Sequence, residues 1–210
     1  MKKLVLAILL CISISFADSL DDAKSALRNN DYKTALPIFK DLANGGNLEA
    51  QTILGFIYEQ GDVLEKDYLE AFKWYEKAAN QKHLNSQNKI GFMYEYGQGV
   101  KQDYKEAIKW YEKAGNDGHI QAQFNLASLY YSGSGVNRNY KEAFKWYEKA
   151  ANQGYDRAQY NLGVMYANGY GTEVNKQKAY EILQKALNQG NQKAQFYLKS
   201  FCKDNVDICK

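Results

Sequence analysis

The three tryptophans of this chain, Trp74, Trp110 and Trp146, stand at intervals of 36 residues, each inside a near-copy of the segment Asp103 to Ala114 (DYKEAIKWYEKA). Stepping the interval outward reaches Ile38 and Ile182, each in a diverged copy, so the unit recurs over nearly the whole chain. A repeat of roughly 20 to 50 residues cannot bury its apolar face alone and does so by stacking on its neighbours, which makes the chain a solenoid.

Each unit reads as two helices. The first, helix A, is Ala158 to Tyr166, matched by Ala122 to Tyr130, Ser86 to Tyr94, Ala50 to Tyr58 and Ala194 to Cys202. Small or apolar residues at 158, 162, 163, 165 and 166 share one helical face, which is the expected core. Gly55, Gly91, Ala127 and Gly163 recur at one mid-helix register. Glycine there costs about 1 kcal/mol against alanine, so the register predicts close approach of a neighbouring helix. Paired glycines follow (Gly97 and Gly99, Gly133 and Gly135, Gly169 and Gly171). They join helix to helix with no preceding strand, so they predict positive-φ turns and not a phosphate loop.

Helix B opens on Asp67-x-x-Glu70, Asp103-x-x-Glu106 or Asn139-x-x-Glu142, the pattern of a reciprocal capping box. It stops at Gly46, Gly118, Gly154 or Gly190, with Lys82 breaking the series. The first hairpin, from Ser19 to Ala43, has a tighter turn and a proline, Pro37, expected to bend its second helix. The expected fold is all-α, a right-handed α/α superhelical solenoid of about five stacked antiparallel helix pairs.

A 36-residue helix pair carrying Ala-x-x-x-Leu-Gly-x-x-Tyr, Gly-x-Gly-Val and Asp-Tyr-x-x-Ala-x-x-Trp-Tyr-x-Lys-Ala resembles the Sel-one-like repeat, a relative of the tetratricopeptide repeat. Gln98-Gly-Val100, Tyr104 to Ala114 and Leu162-Gly163-x-x-Tyr166 carry the likeness, over about 47–202. The fourth unit departs, with Thr172 to Lys176 in place of Gly-Val-x-x-Asp-Tyr and Ile182 in place of tryptophan. The expected organisation is a signal peptide over 1–17, a tetratricopeptide-like hairpin cap over 18–46, the array over 47–202 and a tail over 203–210.

Met1-Lys2-Lys3 followed by an apolar run from Leu4 to Phe16 reads as a secretory signal, with cleavage after Ser15-Phe16-Ala17. The run is short of the roughly 20 residues that span a bilayer, so no membrane span is expected after cleavage, and the destination is the periplasm or beyond. Cys11 follows Leu10 where a lipid-modified cysteine wants a small residue, which counts against lipidation. Without Lys2 and Lys3 the net charge falls from +3 to +1, too balanced for a nucleic-acid partner. Cys202 and Cys209 are expected to pair as a disulfide in an oxidising compartment; CxxC spacing and a nearby histidine, which a redox or metal site would want, are missing.

The sequence holds few candidates for catalysis. His83 and His119, also 36 apart, read as solvated turn residues. Ser86 to Lys89 and Ser200 to Lys203 match Ser-x-x-Lys, but the companion motifs of penicillin-recognising enzymes are missing. The resemblance implies a second reading, because a cysteine-rich secreted branch of the family is associated with penicillin binding and weak β-lactamase activity. That branch bridges the end of helix B to the next helix A with a cysteine pair, where this chain has Ala79 and Gln87 or Ala151 and Gln159. The preferred reading is a non-enzymatic exported scaffold binding a peptide or protein through its concave face, without metal or cofactor. Candidate contacts cluster around registers 160, 164 and 167 of helix A: Phe56, Phe92, Tyr96, Phe124, Tyr131 and Tyr160, with Phe196 beyond them.

Overall fold

The computed structural model describes residues 19–209, so the signal segment and Cys11 lie outside the described residues. Within them the chain is helical, with no strand. It divides into two compact units, one ending at Gln102 and one starting at Asp103. Among the described residues no helix is long and apolar enough to cross a membrane.

The first unit holds α1 (19–28), α2 (Tyr32–Asn44), α3 (Leu48–Gln60), α4 (Tyr68–Asn80) and α5 (Leu84–Tyr96). The second holds α6 (Tyr104–Asn116), α7 (Ile120–Ser132), α8 (Tyr140–Asn152), α9 (Asp156–Asn168), α10 (Lys176–Asn188) and α11 (Gln192–Asp204). From α2 onward every helix has 13 residues, about 20 Å of rise. Within each unit successive helices pack on one another, α2 on α3, α3 on α4 and α4 on α5, then α6 on α7 and so to α11. Pro37 lies exposed within α2, which runs on unbroken from Tyr32 to Asn44.

The core is built from the small and apolar registers of the repeat. In the first unit Ala23, Phe39, Leu42, Ala50, Leu54 and Trp74 form one cluster, so the opening hairpin shares its interior with α3 and α4. Burying side chains the size of Phe39 or Leu54 contributes about 1.5–3 kcal/mol each. Trp74 and Trp146 are buried, each roofed by the lysine one turn on, with Lys77 and Lys149 Nζ at 3.9 and 3.8 Å from the ring centroids. Trp110 keeps its lysine, Lys113 at 4.8 Å, but stays half-buried.

Two of the mid-helix glycines, Gly55 and Gly163, mark close approaches. A methyl on Gly55 would fall 2.8 Å from the Tyr75 ring, and one on Gly163 2.6 Å from the Leu183 side chain. The paired loop glycines take positive φ, and at Gly99 and Gly171 (φ 71° and 72°) a Cβ would lie 2.1 Å from the carbonyl oxygens of Tyr68 and Tyr140. Lys82, which replaces glycine at the end of α4, adopts the same left-handed conformation, φ 66°.

The capping box is only half formed. Asp67 accepts from the N–H groups of Leu69 and Glu70, and Asn139 from that of Glu142. The return bond is replaced: the Asp67 and Asn139 N–H groups donate to the carbonyls of Tyr58 and Tyr130 in the preceding helix, both at 2.9 Å. Glu70 and Glu142 turn outward to Lys73 and Lys145 instead.

Candidate functional site

The helix A registers left over by the core carry the expected aromatics, in two settings. In the first unit Phe56 projects from α3 with 56% of its surface exposed. It walls a cleft of about 360 Å³ with Leu27, Tyr32, Ile53 and Val63, with Asp62 at its edge. On α5 the rings of Phe92 and Tyr96 lie 4.4 Å apart, and Tyr96 is 57% exposed. Lys89 reaches over Phe92 while its Nζ pairs with Glu59 at 2.9 Å.

In the second unit Tyr131 is half-buried against Tyr140 and Tyr170, which stack on each other at 4.8 Å. Burial pushes the Tyr131 hydroxyl above its ordinary pKa. Tyr147, deeper in the same cluster and bonded to Ser128 Oγ at 2.9 Å, is pushed up to about 12 for the same reason. Tyr160 stands half-buried and edge-on to Tyr197 at 6.2 Å. Phe124 differs from the other candidates, being only 8% exposed. Its ring packs on Tyr147 and Tyr155 and lies under the Arg157 guanidinium at 4.7 Å, so it serves as the floor of a cleft.

The two histidines are not solvated turn residues. Each is the N-cap of a helix A: His83 Nδ1 accepts the Ser86 N–H at 3.3 Å, and His119 Nδ1 the Ala122 N–H at 3.1 Å. An accepting Nδ1 requires the neutral ring, and burial holds His83 below its ordinary pKa. Ser86 Oγ lies 2.8 Å from the same His83 nitrogen, which brings a hydroxyl and a base together. Ser86 is 1% exposed, however, and Lys89 is turned away to Glu59, so no acyl donor reaches that hydroxyl. Among the described residues no group of three or more His, Cys, Asp or Glu side chains is placed to hold a metal ion.

A second feature escaped the sequence reading. Gln51, Gln87, Gln123 and Gln159 are buried, and each Nε2 donates back to a carbonyl at the end of the preceding helix: Ala43 at 3.0 Å, Ala79 at 3.2 Å, Gly115 at 2.8 Å and Ala151 at 3.3 Å. Three of these glutamines also accept at Oε1 from a second glutamine, Gln81, Gln153 or Gln189, at 2.8 Å. Gln87 Oε1 is buried without a partner. An amide ladder thus links the end of each of these helices to the start of the next, at the positions where the resemblance to the cysteine-rich branch would imply bridges. The one disulfide among the described residues joins Cys202 to Cys209, with Cα atoms 5.6 Å apart, and ties the tail to α11.

The Sel1 repeat matches this chain four times in succession, over 48–83, 84–119, 120–155 and 156–191. The chain belongs to the Sel1 repeat family. Each match begins at helix A and takes in the helix B after it, leaving α1, α2 and α11 outside the four copies. A Sel1 repeat protein from Oxalobacter formigenes is similar in structure, with 31% identity and a TM-score of 0.75, covering 85% of this chain and 73% of that one. A protective antigen of uropathogenic Escherichia coli with this fold shares 26% identity at a TM-score of 0.54, over 96% of this chain and 52% of its own. A Sel1 repeat protein from Klebsiella pneumoniae subsp. pneumoniae is 22% identical at a TM-score of 0.51, with 93% of each chain covered, and bears on the fold alone. Comparison with curated protein sequences gave no match. A Sel1 fold is a protein-interaction scaffold, and the cysteine-bridged enzyme reading is not favoured.

Proposed function

We propose that this Sel1 repeat protein is an exported adaptor that binds a peptide or protein segment along the outer registers of its A helices. The observation that carries the reading is Phe56, a large apolar side chain more than half exposed beside a 360 Å³ cleft lined by Leu27, Ile53 and Val63. The core leaves this register open, and an exposed aromatic beside an apolar cleft is what an interface anchor needs. Phe92 and Tyr96 extend the apolar surface on α5. Export is supported by the basic start and apolar run from Leu4 to Phe16, and by a Cys202–Cys209 bond that suits an oxidising compartment.

The test is capture from periplasmic extract by the tagged full chain, alongside Phe56→Ala and Tyr96→Ala variants. A partner retained by the native chain should be lost about tenfold or more from at least one variant, since an anchor truncation costs about 2 kcal/mol or more. Unchanged capture by both variants would remove these residues from the interface. Fractionation of cells expressing the full chain tests export, and a cytoplasmic, uncleaved product would contradict it.

A further inference from the structure

We infer that the cleft between α9 and α11 in the second unit takes an acidic side chain of the partner polypeptide, with an apolar residue beside it. The inference rests on the binding role proposed above and names the chemistry of one of its sites. The cleft has a volume of about 300 Å³, at the lower limit of the roughly 300–1,000 Å³ of small-molecule pockets. That is room for one or two side chains. Phe124 forms its apolar floor and Tyr160 one wall, while Arg157 and Lys193 stand at its rim.

These two cations occupy one register of helix A, whose successive members are Glu49, Asn85, Gln121, Arg157 and Lys193. The register thus runs from acidic to basic along the chain. Neither Arg157 nor Lys193 is in a salt bridge among the described residues. The only carboxylate lining the cleft, Asp156, accepts from Asn191 Nδ2 at 2.8 Å and is held to the cleft wall. Two cations against one anion leave the cleft a net positive charge. The Arg157 guanidinium is fixed against Phe124, and its planar fork matches a carboxylate. The neighbouring aromatic register changes in step, from Thr52 and Asn88 to Phe124, Tyr160 and Phe196, and Phe196 is 68% exposed. Positive charge and apolar surface therefore coincide at this end of the array, which selects a carboxylate next to an apolar side chain.

Random peptides displayed on phage and selected on the full chain provide the test. Enriched sequences should carry Asp or Glu next to an apolar residue. A synthetic peptide of that kind, followed by fluorescence polarisation, should bind about tenfold more weakly when its acid is changed to the amide, and more weakly as salt is raised. Arg157→Gln and Lys193→Gln should cause comparable losses, while Arg157→Lys, which keeps the charge, should retain the preference for acid. Enrichment without acidic preference, or Gln variants that bind the peptide as tightly as the native chain and melt as it does, would overturn the cleft assignment. The Phe56 and Tyr96 capture result stands apart from these arms. If it holds while the acid preference fails, only the cleft assignment falls; if no peptide binds and capture is also insensitive to both variants, both readings fall.

Discussion

Changing Gln51 to Met and, separately, Gln87 to Met should have unequal effects, although the two residues hold the same place in successive repeats. Both are the fourth residue of a 13-residue helix and both are buried, so the apolar gain and the near-equal helix propensity of Met are common to the two changes. Gln51 makes two hydrogen bonds, to Ala43 O at 3.0 Å and from Gln81 Nε2 at 2.8 Å. At about 1 kcal/mol each, Gln51→Met loses about 2 kcal/mol. Gln87 makes one such bond, to Ala79 O at 3.2 Å, and its Oε1 is buried without a partner. Gln87→Met loses about 1 kcal/mol and relieves an orphaned acceptor that costs about 1–3 kcal/mol. Neither change orphans a carbonyl, because Gly46 N–H donates to Ala43 O and Lys82 N–H to Ala79 O. Gln51→Met should therefore be the less stable variant by about 2 kcal/mol or more, read as a shift in urea midpoint at constant slope. Equal midpoints, or a larger loss at Gln87, would refute the account of the ladder.

Three further outcomes are expected. Lys82→Gly should stabilise the protein by about 1 kcal/mol in the same urea assay, because Lys82 sits at φ 66° where glycine carries no penalty; a loss would mean that the lysine side chain matters more than its backbone. His83 has a folded pKa below its unfolded value of 6.5, so its contribution is complete above about pH 6.5 and is lost as pH falls toward the folded pKa. Melting temperature should accordingly fall with acidification, and His83→Asn, a cap that does not titrate, should reduce that slope, whereas identical slopes would count against the cap. Cys202→Ser should release the tail and the end of α11, removing about 2 kcal/mol of local protection in hydrogen exchange and sparing α3 to α5; unchanged protection near residue 200 would show the disulfide to be energetically idle.

The tryptophan interval made the helix pairs, their turns and their core registers legible, because steric demands that recur every 36 residues leave the same small residues at Gly55 and Gly163 and the same turn at Gly99 and Gly171. What escaped was polar. Gln51, Gln87, Gln123 and Gln159 repeat as faithfully as the tryptophans, yet a glutamine in a helix reads as solvent-facing until its carbonyl partner, eight residues back, is seen. His83 and His119 were misread because histidine is an uncommon cap, and only geometry shows Nδ1 turned on a backbone N–H. The glutamate of the capping box was misassigned because the competing acceptor, Tyr58 O or Tyr130 O, belongs to a different helix. Among the candidate contacts, Phe56 and Tyr96 were legible as open positions. Phe124 was not, since its burial depends on Tyr155, at the far end of its own repeat, and on Arg157 from the next, and the same comparison along the register would have drawn attention to Arg157 and Lys193.

The glutamine ladder also sets what oxidation can do to this molecule. Amide clasps close without an electron acceptor, so the repeats need no thiol chemistry to become compact, and a reductant that opens Cys202–Cys209 reaches only the last helix and its tail. The packing of the repeats therefore does not depend on the redox state of Cys202 and Cys209, whose bond fastens only the end of the array.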